Sequence, residues 1–147
     1  MAKRKLYAAY GSNLNLGQMA IRCPDAKVVG KGMIQDWALV FNGVASIEPC
    51  KGKQVPVGVW TVTAEDERML DRYEGYPKLY RKENITVKMD GGGELTCMVY
   101  IMNGGMPAMP YPWYYDTIMH GYGFVGLNKA YLETAIQETK DRIKNLK

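Results

Sequence analysis

Val55-Pro-Val-Gly-Val-Trp-Thr-Val62 runs directly into Thr63-Ala-Glu-Asp66, and the change of pattern between these two stretches decides the fold class. The first is β-branched and nearly continuous, as in a central strand covered on both faces. Pro56 and Gly58 put a bulge or a sheet edge near its start. The second is a capping box, which opens a helix with Met69, Leu70 and Tyr73 on one face. Gly75 and Pro77 follow in the positions where a helix ends.

Working outward, Tyr80–Met89 and Glu94–Met102 are β-rich runs around Asp90-Gly-Gly-Gly93, the pattern of a hairpin. Upstream, residues 26–47 alternate apolar stretches with Gly30, Gly32 and Gly43, and read as strands and turns. Residues 5–10, Lys-Leu-Tyr-Ala-Ala-Tyr, form a short buried strand stopped by Gly11. Asn13-Leu14-Asn15 caps a short helix through Met19 to Arg22, which Pro24 ends. Residues 103–115 read as an ordered loop, and 114–120 as a helical turn or two. From Asn128 a helix carries Leu132, Ile136, Thr139, Ile143 and Leu146 as one apolar stripe. There is no internal repeat, low-complexity tract or linker. The expectation is a single α+β domain over residues 1–147, a compact mixed β-sheet or small β-barrel with flanking helices.

Composition narrows the function classes. The 147 residues are 47% hydrophobic and 23% charged, with a formal charge of +4. The basic residues cluster at the ends, in Lys3-Arg4-Lys5 and in Lys140, Arg142, Lys144 and Lys147. They read as solvated faces, and no nucleic-acid recognition motif accompanies them. Cys23, Cys50 and Cys97 are odd in number and contain no C-x-x-C unit. Reduced thiols in a cytoplasm are expected, rather than a disulfide framework or a metal site. The apolar run Leu6–Tyr10 is too short for a signal peptide or a membrane span.

Two features could carry chemistry. The turn Tyr10-Gly11-Ser12-Asn13-Leu14 offers a sharp bend, backbone N–H groups and two short polar side chains, a cradle for a carboxylate or a developing oxyanion. Gly-Ser-Asn is also ordinary turn chemistry, and that reading competes. Glu74 lies four residues after Leu70, near the buried side of its helix and in the last turn, where a cation is preferred. The helix end and partial burial would both raise its pKa toward the range of a general base. A solvated terminal Glu is the competing reading.

Other candidates have simpler accounts. Glu65, Asp66 and Glu67 complement the helix N-terminus, and Asp71 is expected to face solvent. His120 has no paired acid or nucleophile and reads as structural. Ser12 lacks a G-x-S-x-G frame. Tyr111-Pro-Trp-Tyr-Tyr115 could wall a pocket, though core or loop packing accounts for it as well.

The ordered set resembles the γ-glutamylcyclotransferase-like (AIG2-like) family. The resemblance begins at Tyr7-Ala-Ala-Tyr-Gly-Ser-Asn-Leu14 and continues through Val57-Gly-Val-Trp60 and the helix Asp66–Asp71. It is sharpest at Tyr73-Glu-Gly-Tyr76 with Tyr80-Arg81. It extends through Cys97-x-x-Tyr100-x-Met102, Pro112-x-x-Tyr115-x-x-Ile118-x-x-Gly121, Gly126-Leu127 and Tyr131. The family implies a compact α+β fold with a small barrel, and a reaction without metal or organic cofactor. It implies release of 5-oxoproline from a γ-glutamyl amine or amino acid by attack of the substrate's own α-amine. On that basis Glu74 is the general acid and base. Backbone N–H groups of Gly11, Ser12, Asn13 and Leu14 hold the carboxylate or oxyanion. Tyr80 and Tyr100 contact the substrate or orient Glu74, and Tyr10 binds the substrate with the turn.

The expected partner is therefore a small-molecule γ-glutamyl substrate, with no nucleic acid, no membrane, and a monomer or homodimer. Two alternatives stay open. One is action on a γ-glutamyl group of a larger biosynthetic molecule; the other is a non-catalytic module that binds through the same cradle. The leaving group would meet residues 103–115, where Met106, Met109, Tyr111 and Trp113 suggest an apolar wall.

Overall fold

A computed structural model describes residues 4–146. Lys3, Lys147 and the first residues of the N-terminal reading lie outside them. The elements in chain order are β1 (Lys5–Ala9), a 3₁₀ turn (Ser12–Leu14), α1 (Leu16–Arg22), β2 (Lys27–Asn42), β3 (Val44–Val62), α2 (Ala64–Glu74), β4 (Tyr80–Met89), β5 (Glu94–Met102), α3 (Pro112–Val125) and α4 (Ala130–Asn145). The strands close into a barrel in the order β1-β3-β2-β4-β5. β1 runs parallel to β5, and the other pairings are antiparallel. This is the mixed α+β barrel expected from the pattern. Its core holds Val57, Val59, Phe41 and Ile47 from the strands, with Ile118 and Tyr122 from α3.

The β2–β3 hairpin is longer than its sequence suggested. Gly30 and Gly32 read as turn punctuation, yet β2 passes through both and turns only at Gly43, where φ is 84°. Gly32 is a point of close approach instead. A Cβ there would lie 2.5 Å from the Lys88 carbonyl oxygen of β4, at the pairs Gly32–Met89 and Met33–Lys88 that join β2 to β4. A side chain would hold the barrel open. β3 likewise begins at Val44, well before Val55. Its pairing with β1 ends at Ala9–Gly58, so at Pro56 the strand has lost that neighbour. β2 bulges between Val28 and Gly30, and the register shifts again between Gln35 and Trp37, where β3 carries the extra residues 50–53.

α2 starts as its capping box requires. The Asp66 N–H donates to Thr63 Oγ1 at 3.1 Å, and the Thr63 N–H to Asp66 Oδ2 at 3.0 Å. Gly75 ends the helix in the left-handed conformation. Of the face read as Met69, Leu70 and Tyr73, only Leu70 is buried; the other two are exposed, because the helix rests on the barrel along a narrower line.

α3 corrects the reading of residues 103–115 as loop. It begins at Pro112 and runs four turns' worth of chain to Val125, through Gly121 and Gly123. Two helical glycines lower propensity, which hid the element. Gly121 is there for contact: a Cβ would lie 2.7 Å from the Leu14 carbonyl carbon. In α4 the stripe is shorter than read, since Leu146 lies beyond the helix and is exposed while Leu132, Ala135 and Thr139 are buried.

Candidate active site

β1 carries the chain into the turn, and two backbone bonds close it: Leu14 N–H to Gly11 O and Asn15 N–H to Ser12 O, both 3.0 Å. α1 starts one residue later, with Asn15 Oδ1 accepting the Gln18 N–H at 3.1 Å. The cap is thus Asn15, after a separate 3₁₀ turn. The N–H groups of Gly11, Ser12 and Asn13 have no partner among the described residues. That of Leu14 is committed to the turn. The Leu14 side chain is wholly buried under Gly121 and against Gly58, and it does not line the cavity. Leu14 anchors the turn from behind.

The polar side chains of the turn are tied to their surroundings. Ser12 Oγ lies 2.8 Å from Tyr73 Oη. Asn13 Nδ2 donates to Tyr7 Oη at 3.0 Å, and Arg22 donates to Asn13 Oδ1 at 2.5 Å and to Gln18 Oε1 at 2.8 Å. The same guanidinium lies over the Tyr73 ring, 3.4 Å from its centroid. The turn, α1 and the end of α2 are thereby fastened together.

Between them opens a cavity of about 270 Å³. Gly11, Ser12, Asn13 and Tyr10 line it from one side, Glu74 and Tyr73 from α2, and Tyr80, Tyr100 and Tyr114 from β4, β5 and α3. Glu74 is the only formally charged residue among those lining it. Its carboxylate takes no hydrogen bond among the described residues. Burial pushes its pKa up to about 7, with Arg22 pulling the other way. A second recess of about 410 Å³ lies between α4 and the β2–β3 hairpin and contains none of the sequence-predicted site residues. Its polar groups satisfy one another, Gln54 donating to Tyr131 and Lys53 pairing with Glu138.

The tyrosines divide by what each hydroxyl has already done. Tyr80 donates to Ala45 O (2.7 Å), Tyr10 to Tyr100 O (2.7 Å) and Tyr100 to Asp71 Oδ1 (2.6 Å). Their protons are committed and they keep acceptor lone pairs. Tyr7 and Tyr114 instead accept, from Asn13 Nδ2 and from the Ala45 N–H (3.0 Å), so each retains a proton to donate. Burial pushes all five phenols upward, and they stay neutral. Asp71 is not a solvated surface acid as read: besides Tyr100 it pairs with Lys82 at 3.0 Å.

Sequence reasoning passed over Arg22, Tyr73 and Tyr7 as site residues. A basic residue in the last turn of a short helix is ordinary, so nothing marked Arg22. Tyr114 and Trp113 belonged to the aromatic cluster that loop packing also explained; the start of α3 at Pro112 turns both toward the cavity.

Residues 7–122 match the model of the family described as gamma-glutamyl cyclotransferase, AIG2-like. The chain belongs to this family. The matched γ-glutamyl cyclotransferase segment contains the whole turn, Glu74, Tyr80, Tyr100 and Tyr114. The chain is 32% identical to the gamma-glutamylcyclotransferase of Mus musculus over 141 residues, spanning 87% of this chain and 75% of that one. It is 31% identical to the Homo sapiens protein of the same name over the same shares. A solved gamma-glutamyl cyclotransferase superposes with a TM-score of 0.84 at 28% identity, over 97% of this chain and 99% of its own. A human crystal structure gives 0.83 at 30% identity, over 90% and 86%. Family and fold thus assign a cyclotransferase enzyme acting on a small molecule. Among the described residues no helix is long and apolar enough to cross a membrane.

Proposed function

We propose that this γ-glutamyl cyclotransferase releases 5-oxoproline from a γ-glutamyl amine or γ-glutamyl amino acid, with Glu74 as general base and then general acid. One observation carries the reading: Glu74 and the unpartnered N–H groups of residues 11–13 share a single cavity. Glu74 takes a proton from the substrate α-ammonium. The freed amine attacks the γ-carbonyl carbon, forming the ring C–N bond and an oxyanion. Collapse breaks the bond to the leaving nitrogen, which receives the proton held by Glu74, and the ring nitrogen gives up its second proton to Glu74, which passes it to the departing amine.

The attack is intramolecular, so the protein supplies geometry and proton transfer and no nucleophile. A pKa near 7 lets Glu74 both accept and return a proton near neutral pH. The N–H groups of Gly11, Ser12 and Asn13 supply dipoles for the α-carboxylate or the oxyanion. Tyr10, Tyr80 and Tyr100, with acceptor lone pairs only, suit the ammonium. Tyr7 and Tyr114, which still have a proton, suit an anionic oxygen. Leu14 belongs to the scaffold of the turn in this scheme, since its N–H is engaged.

The test is 5-oxoproline release from a panel of γ-glutamyl dipeptides and γ-glutamyl amides by the wild-type protein and Glu74→Gln. Turnover by the first and loss of about 10²–10⁴-fold in the second is the expected result. Undiminished release by Glu74→Gln sinks the mechanism. Calorimetric binding of 5-oxoproline without turnover of any substrate would instead mark a binding module.

A further inference from the structure

We propose that the mouth of this cavity selects an uncharged apolar leaving amine, alkyl or arylalkyl, over an amino acid that carries a carboxylate. The inference rests on the cyclotransferase reading above and concerns the half of the substrate which that reading leaves open.

Burial separates the floor of the cavity from its mouth. Tyr7, Tyr10, Asn13, Ala45, Tyr80 and Tyr100 are buried and form the floor, around Glu74. Four lining residues reach the surface: Val44, Tyr73, Leu79 at 64% exposure and Trp113 at 69%. The polar turn and the proton carrier lie with the floor, so the glutamyl part belongs there and the leaving group points outward. What it meets is two aliphatic and two aromatic side chains. Trp113 is held from both sides, stacked on Tyr111 at 6.3 Å with planes 9° apart and edge-on to Tyr114 at 6.1 Å. A pre-ordered indole offers a large apolar face with little ordering cost.

The charge of the lining disfavours the alternative. A leaving amino acid brings a carboxylate into a cavity whose one charged lining residue, Glu74, is itself an acid. Two cations behind the walls are engaged. Arg22 is held by Asn13, Gln18 and the Tyr73 ring, and Lys82 by Glu67 and Asp71. An anion at the mouth meets no cation among the residues that line the cavity. At about 270 Å³ the cavity lies at the small end of ligand sites, so the leaving group is in contact with these four residues rather than buried beyond them.

The experiment compares γ-glutamyl-phenethylamine with γ-glutamyl-phenylalanine, which differ by one carboxylate. Turnover is measured on the wild-type protein and on Trp113→Ala, and binding by calorimetry on Glu74→Gln. Expected is a kcat/KM at least about tenfold higher for the amine, with Trp113→Ala narrowing that ratio mainly through KM. Equal or reversed preference, with 5-oxoproline formed from both, overturns the inference and leaves the cyclotransferase reading standing. No 5-oxoproline from either, but tighter binding of the amine, supports the apolar mouth and overturns the reaction. Neither turnover nor binding overturns both.

Discussion

The Arg22 guanidinium lies 3.4 Å above the Tyr73 ring, one residue before Glu74, while donating to Asn13 in the turn across the cavity. A single cation thus fixes the distance between the proposed base and the proposed cradle, and it opposes the effect of burial on Glu74. Replacing it with Met removes the charge and the fork together. The acid limb of the kcat/KM–pH profile should then move to higher pH, so activity at pH 6 falls more than at pH 9. Arg22→Lys should keep the limb near its place while losing the planar contact, with a higher KM. A limb that stays put in Arg22→Met would remove Arg22 from the account.

The wild-type profile has its own expectation. Glu74 begins the reaction as a carboxylate, so kcat/KM should rise with pH through about 7 and level off above it. Glu74→Gln should abolish this limb along with most of the rate.

Stability should run against activity at the same residue. The folded-state pKa of Glu74 is raised to about 7 from 4.5, so between those values the folded chain binds the proton that the unfolded chain has lost. Its favourable contribution is present below about pH 4.5 and disappears as pH rises through 7. The resulting penalty at pH 8 is on the order of 3 kcal/mol. Glu74→Gln should therefore melt at a higher temperature than wild type at pH 8, and by a much smaller margin at pH 5. Calorimetry at the two pH values decides it.

Ser12 and Tyr73 join the turn to α2 through one hydroxyl pair. Ser12→Ala and Tyr73→Phe should each cost about 0.5–1.5 kcal/mol in urea unfolding, and the double variant clearly less than their sum. Strict additivity would mean the pair does not exist in solution.

Gly121→Ala tests the crossing of α3 over the turn. Its new Cβ would meet the Leu14 backbone at 2.7 Å, and backbone cannot rotate away. A loss of about 1–3 kcal/mol in stability is expected. Because Leu14 anchors the cradle, kcat should fall as well, whereas the exposed Gly123→Ala, with open space around its Cβ, should leave kcat unchanged and raise stability by about 0.5–1 kcal/mol.

Local chemistry was enough for several features. Thr63 with Asp66, Gly75, and the Asp90–Gly93 turn each act within a few residues, so α2 and the β4–β5 hairpin can be read with their boundaries from the sequence. The apolar and polar order of elements gave the α+β class, and the motif order gave the family. The turn and Glu74 were also legible as candidates, one by its composition and the other by its uneasy place at a helix end. What the sequence could not decide came from contacts between distant segments. Gly32 and Gly121 look like breakers because their neighbours in space, Lys88 and Leu14, are 56 and 107 residues away. Asp71 looks solvated until Tyr100 and Lys82 arrive from β5 and β4. Arg22 has no mark at all until α1 packs beside α2. Burial, which raises the pKa of Glu74, and the cavity that joins it to Gly11–Asn13 exist only once the barrel has closed.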